Sequence, residues 1–74
     1  MADTVIGKIL RKAAHDPAFR RRALDSFGSA LAEEGFILTD AEMTYLREFW
    51  ESLSGLGERA AYERIMAKVR GFGL

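Results

Sequence analysis

The sequence is short of the residues on which most catalytic and metal sites depend. It contains no cysteine and a single histidine, His15, which excludes disulfide bridges and thiolate metal sites, and one histidine cannot complete a metal site unaided. Its apolar runs are only a few residues long, too short for a membrane-spanning helix or a signal peptide. We therefore expect a soluble, cytoplasmic protein held together by apolar packing.

What the sequence does contain is enough apolar material for one small domain. The 74 residues are 49% hydrophobic, well above the level at which chains remain disordered. A chain of this size buries only about 60% of its unfolded surface, so its stability is marginal and a multidomain enzyme is excluded. The same marginal stability leaves room for self-association into a homo-oligomer.

The charge is zero overall but unevenly distributed along the chain. Residues 1–24 hold six bases against two acids, residues 25–58 eight acids against one base, and residues 59–74 four bases against one acid. We expect the two basic ends to pair with the acidic middle when the chain folds. A pI near 6.6 argues against nucleic-acid binding, because domains that bind nucleic acids are generally basic.

The apolar residues recur at helical spacing, and no segment alternates apolar and polar residues as a half-buried strand does. This pattern predicts an all-α fold of about five short helices. The first should run from about Thr4 to Ala14, with Asp3 as its N-cap. The second should begin at Asp16-Pro17, where an acid caps the helix and proline occupies its first position.

Three further helices follow an interruption at Asp25 or Ser26. The third should end at Gly35, because glycine takes the left-handed conformation that closes a helix. The fourth should begin with a capping box over residues 39–42 (TDAE). The fifth should run from about Glu58 to Arg70, and residues 71–74 should add no further order.

The fourth helix is expected to be the centre of the core. It places Leu46, Phe49, Trp50 and Leu53 on one apolar stripe. The preceding Phe36-Ile37-Leu38 segment is expected to be a buried connector. A fully buried Trp50 would then be one of the main anchors of a small core.

Few residues are candidates for chemistry. As a general base His15 would need a nucleophile and an orienting partner in a cleft, whereas the dipole of the first helix alone accounts for a histidine at that end. Glu48 and Glu51 lie on one helical face, but no loop supplies the further oxygen ligands that a divalent cation needs. We therefore expect no catalytic activity, no metal ion and no cofactor.

One ordered set of motifs has a counterpart in known families. Asp16-Pro17-Ala18-Phe19-Arg20 is followed by Ala30-Leu31, by Gly35 and by Leu38-Thr39-Asp40 before an acidic helix. This order resembles the leader domains of ribosomally made, post-translationally modified peptide precursors, especially the nitrile-hydratase-related leader group. It is also similar to the small α subunit of protocatechuate 4,5-dioxygenase and to the helical binding domain of split borosin precursors.

The resemblance implies a non-catalytic domain that a partner enzyme binds, either as a leader or as an accessory subunit. It divides the chain into a leader-like domain, residues 1–53, and a C-terminal helix and tail, residues 54–74, where any modified segment would lie. The glycine-containing cleavage site and the Cys-, Ser- or Thr-rich core of such precursors are absent from this sequence. The residues that carry the pattern are Pro17, Phe19, Leu31, Gly35, Leu38 and Thr39.

The second helix offers a candidate partner-binding surface. An apolar ridge there is rimmed by a run of three arginines, and interfaces concentrate their energy in apolar anchors while rim charges steer association. An acidic groove on a partner protein would fit such a ridge. The residues concerned are Phe19, Arg20, Arg21, Arg22, Leu24 and Phe27.

Overall fold

Residues 4–71 form five α-helices and no strand in the computed structural model, which describes this range of the chain. The predicted all-α fold is confirmed, and none of the helices in this range is long and apolar enough to cross a membrane. The expectation for residues 72–74 lies outside the described residues. The helices are α1 (Val5–His15), α2 (Pro17–Asp25), α3 (Phe27–Glu34), α4 (Asp40–Ser52) and α5 (Glu58–Gly71).

Local capping chemistry sets the boundaries of the middle helices. The Asp16 carboxylate accepts a hydrogen bond of 3.1 Å from the backbone N–H of Phe19, and Gly35 ends α3 with a φ of +78°. Thr39 and Glu42 each bond the other's backbone N–H, with the Thr39 hydroxyl accepting at 3.1 Å and the Glu42 carboxylate at 2.9 Å. These predicted boundaries are confirmed because each is determined by residues three or four positions apart.

The start of α1 differs from the prediction. Its N-cap is Thr4, whose hydroxyl accepts a hydrogen bond of 3.0 Å from the backbone N–H of Gly7. The expected cap, Asp3, was one residue too early. An N-cap side chain bonds the second or third helical N–H, and Thr4 stands three residues before Gly7.

Helix α1, and not α4, has the closest packing with other helices. Its closest helix neighbours are α5 and α2, while α3 lies against α2. The buried part of α1 includes Gly7, Ala13 and Ala14, whose small size permits close approach of helix axes. Helix α4 instead reaches the core through the larger side chains of Leu46 and Trp50, which keep its backbone farther away.

Both sides of the sequence division at residue 53 share one core. Helix α5 buries Ala61, Ile65 and Val69, and it packs along α1. The full set of buried apolar residues is Ile9, Leu10, Ala13, Ala14, Phe19, Ala23, Ala30, Leu31, Leu46, Trp50, Leu53, Ala61, Ile65 and Val69.

The connector between α3 and α4 is only partly buried, contrary to expectation. Phe36 and Leu38 pack against the core, but Ile37 between them is 88% exposed. Successive side chains of a non-helical segment can point to opposite sides. An apolar triplet in such a segment therefore does not bury all three of its members.

Substitution of Trp50 tests how much the aromatic part of the core contributes to the free energy of unfolding. Its ring stacks on Phe27 with centroids 4.8 Å apart and is 5% exposed. We expect Trp50→Ala to lower the free energy of unfolding by about 3–5 kcal/mol, close to the whole stability of so small a core. Urea denaturation followed by far-ultraviolet circular dichroism measures this loss.

Two controls separate this effect from general sensitivity to substitution. Trp50→Phe should cost less, because the buried indole N–H makes no hydrogen bond within residues 4–71. Ile37→Ala should change little, since this side chain is exposed. Equal stability of Trp50→Ala and the unaltered protein would contradict the packing described above.

The cap at Asp16 also predicts a dependence of stability on pH. The hydrogen bond from the Phe19 N–H, and then that from Lys12, hold the pKa of the Asp16 carboxyl below its usual 3.8. The unfolded chain therefore binds this proton more tightly, so the stabilisation by Asp16 is present above that value and is lost as the pH falls below it. We expect the Tm of the unaltered protein to fall more steeply on acidification than that of Asp16→Asn, which caps the helix without titrating. Parallel curves for the two proteins would exclude this role for Asp16.

Candidate partner-binding surface

Phe19, the first residue of the predicted apolar ridge, lies inside the protein. Its side chain is fully buried, with the Phe36 ring edge-on at 6.4 Å between centroids. The Lys12 ammonium lies over the Phe19 ring, 5.6 Å from its centre. Phe19 thus holds α2 against the core and is not available to a partner on the folded surface.

Arg20 is also internal, although the sequence analysis assigned it to the charged rim. The residue is 8% exposed, and its Nη1 donates hydrogen bonds to the carbonyl oxygens of Ala13 at 2.8 Å and Ala14 at 3.3 Å. These carbonyls belong to the last turn of α1, where no further helical N–H can reach them. Arg20 therefore caps the C-terminal end of α1 from a neighbouring helix.

The same guanidinium reaches the beginning of α5. Its Nη2 lies 3.6 Å from Oε2 of Glu58, and its central carbon lies 4.8 Å from the centre of the Tyr62 ring. A side chain that bonds α1 and contacts α5 has a structural role. No local sequence signal indicates it, because these contacts connect residues of three different helices.

The two other arginines of the run are exposed but paired with acids. Arg21 lies 3.5 Å from Glu58, and Arg22 lies 3.6 Å from Glu33 and 3.0 Å from Glu34. The expected pairing of the basic N-terminal segment with the acidic middle is thus present. A partner protein would have to compete with these internal carboxylates for either arginine.

Leu24 and Phe27 remain as the accessible part of the predicted surface. Both are half-buried and contribute to an open groove of about 330 Å³ between the α2–α3 pair and α4. Trp50 forms part of its apolar wall, while Arg47 and Glu51 place one charge of each sign along it. The lining residues are Ala23, Leu24, Phe27, Arg47, Trp50, Glu51 and Ser54; we call this the α2–α4 groove.

The remaining candidates for chemistry lie apart from this groove or on its rim. His15 is exposed at the last position of α1, and Glu48 and Glu51 are exposed on α4. Within residues 4–71, no group of three or more histidine, cysteine, aspartate or glutamate side chains is arranged to hold a metal ion. The arrangement offers apolar contact and paired charge, which suit binding.

Other large apolar side chains are exposed outside the partner-binding surface that the sequence analysis predicted. Tyr45 is 40% and Tyr62 37% exposed, in addition to the strongly exposed Ile37. The two tyrosines lie at the edges of helical stripes whose centres are buried. Tyr45 precedes the buried Leu46 and Tyr62 follows the buried Ala61, so both tyrosines lie next to the core.

Comparisons with known proteins add no relative to this description. No protein-family model, curated protein or solved structure matches the chain.

The position of Arg20 changes what a charge substitution in this run should do. We expect Arg20→Ala to lower the free energy of unfolding by about 2–3 kcal/mol, because two buried carbonyls lose a charged donor. Arg21→Ala, which removes only an exposed pair, should cost less than about 1 kcal/mol. Chemical denaturation of the two variants compares them directly, and equal losses would show that Arg20 does not cap α1.

Proposed function

We propose that this chain is a non-catalytic helical recognition domain that a partner enzyme binds through the α2–α4 groove. The observation that carries the proposal is the accessible apolar surface of Leu24 and Phe27 in that groove. An apolar floor with charges at its edge is the usual anatomy of a protein-binding site, in which buried anchors supply affinity and rim charges supply orientation.

Two forms of this function follow from the resemblance to leader domains and to small accessory subunits. In the first, the chain is a modified-peptide precursor or a stand-alone leader, and in the second it is a permanent, unaltered subunit. Because α5 buries Ala61, Ile65 and Val69 in the core, an enzyme could act on these side chains or on an unwound α5 backbone only after α5 had left α1. This packing favours a stand-alone leader or an accessory subunit over a precursor modified within α5.

The other parts of the proposal rest on composition. Binding of nucleic acid is the weaker alternative, since the net charge is zero and phosphate binding requires an excess of bases. We place the domain in the cytoplasm, where a cysteine-free sequence needs no oxidising compartment.

Co-expression with the products of neighbouring genes tests the function and separates its two forms. We expect a stoichiometric complex with one of them, and the intact mass of this chain then reports its state. A mass increase located within residues 54–74 identifies a precursor, whereas an unchanged mass in a stable complex identifies a leader or subunit. If none of these products binds the folded chain, the proposed function is wrong.

Variants of the groove test whether it is the binding surface. Leu24→Ala should weaken such a complex about tenfold, the effect of losing a moderate interface anchor. Ile37→Ala is the matched control, because it removes a larger exposed area outside the groove. Calorimetric titration of both variants measures the difference, and equal affinities would move the contact away from the α2–α4 groove.

A further inference from the structure

A second groove, between α4 and α5, differs from its neighbours in charge. It has a volume of about 400 Å³ and is lined by Phe49, Ser52, Arg64, Ala67, Lys68 and Gly71. Two bases and no acid belong to this lining. Three other grooves on the surface of residues 4–71 each have at least one acid as well as a base in their lining.

The two bases of this α4–α5 groove lack the internal partners that the α2 arginines have. Arg64 and Lys68 are four residues apart and therefore on the same side of α5, where like charges repel. Neither makes an ion pair within the described range, whereas Lys12, Arg20, Arg21, Arg22 and Arg59 all do. Among residues 4–71, these two neighbouring positive charges therefore have no acidic partner.

Aromatic rings hold one of these charges in place beside an apolar floor. The Lys68 ammonium lies 5.1 Å from the centre of the Phe49 ring and 5.9 Å from that of Tyr45. Contact with ring faces orients an ammonium without neutralising its charge. Phe49 is half-buried, and with Ala67 it provides the apolar part of the groove.

From this combination we propose that the α4–α5 groove binds an acidic peptide segment of a partner protein. Carboxylates of the segment pair with Arg64 and Lys68, and an aromatic or aliphatic side chain of the same segment lies on Phe49 and Ala67. The proposal goes beyond the proposed function, because this groove shares no lining residue with the α2–α4 groove.

A peptide fits this groove better than a nucleic acid does. A phosphate backbone needs a longer track of positive charge than two residues provide. The exposed acids Glu48, Glu51 and Glu63 lie on the two helices that form the groove, and they would repel phosphates that extended beyond it. A short segment with two or three carboxylates can stay within the groove and therefore meets less of this repulsion.

The test uses the isotopically labelled full chain and a synthetic hexapeptide in which glutamate alternates with phenylalanine, with both ends blocked. We expect the amide signals of Ala67 and Gly71 to shift on titration at low salt, and binding to weaken as salt is raised. Arg64→Gln/Lys68→Gln should weaken binding about tenfold, as expected for the loss of two partly exposed ion pairs. Arg64→Lys/Lys68→Arg should retain it.

Matched controls make each outcome decisive. Arg59→Gln/Arg70→Gln changes the net charge equally on the same helix but outside the groove lining, and should bind the peptide as the unaltered protein does. The hexapeptide with lysine in place of glutamate should not bind the unaltered protein. This control requires no substitution in the chain. Equal binding of the two peptides, equal binding by the Arg64→Gln/Lys68→Gln variant, or tighter binding of a ten-residue oligothymidine would overturn the proposal.

The same titration distinguishes this site from the one assigned under the proposed function. Shifts confined to Leu24 and Phe27 would place the acidic peptide in the α2–α4 groove and overturn the present inference while leaving the proposed function intact. Conversely, Leu24→Ala should not affect binding of the hexapeptide.

Discussion

The buried guanidinium of Arg20 is the interaction on which the arrangement of the helices depends. It extends from α2, bonds the last carbonyls of α1 and lies against Glu58 and Tyr62 at the beginning of α5. A buried charge is tolerated only while its partners are in place, because an unpaired one carries a large desolvation cost. One side chain therefore connects three helices, and separation of α1 from α2 would leave its buried charge without the carbonyl groups that accept its hydrogen bonds.

The pairing of acids with particular bases also explains why a chain of zero net charge has surfaces that differ in charge. The acids that follow α2 neutralise its arginines, so this side of the molecule presents ion pairs around an apolar groove. The two acids of α5 are already paired. Glu58 lies against Arg20 and Arg21, and Glu63 pairs with Arg59. The bases in its last two turns make no ion pair within residues 4–71, and one of them, Lys68, lies beside the rings of Tyr45 and Phe49. Net neutrality is thus compatible with strongly asymmetric recognition.

The parts of the fold that could be predicted from the sequence are those determined by neighbouring residues. Asp16 with Pro17, Thr39 with Glu42, and Gly35 each specify a boundary through contacts within one helical turn. The burial of Arg20 and the exposure of Ile37 could not be predicted in this way, since both depend on how other helices pack around these residues. Residue type alone favours the opposite assignment in each case.

Packing of the first described helix against the last has a consequence for how the protein is made. The face of α1 that α5 covers remains exposed while α2, α3 and α4 are synthesised, because α5 is the last of the five helices to leave the ribosome. Closing a contact across so long a loop also carries an entropic cost that neighbouring helices do not incur. We therefore expect the nascent chain to acquire helices early but to complete its core only after α5 has emerged, with chaperones able to bind the open face of α1 until then.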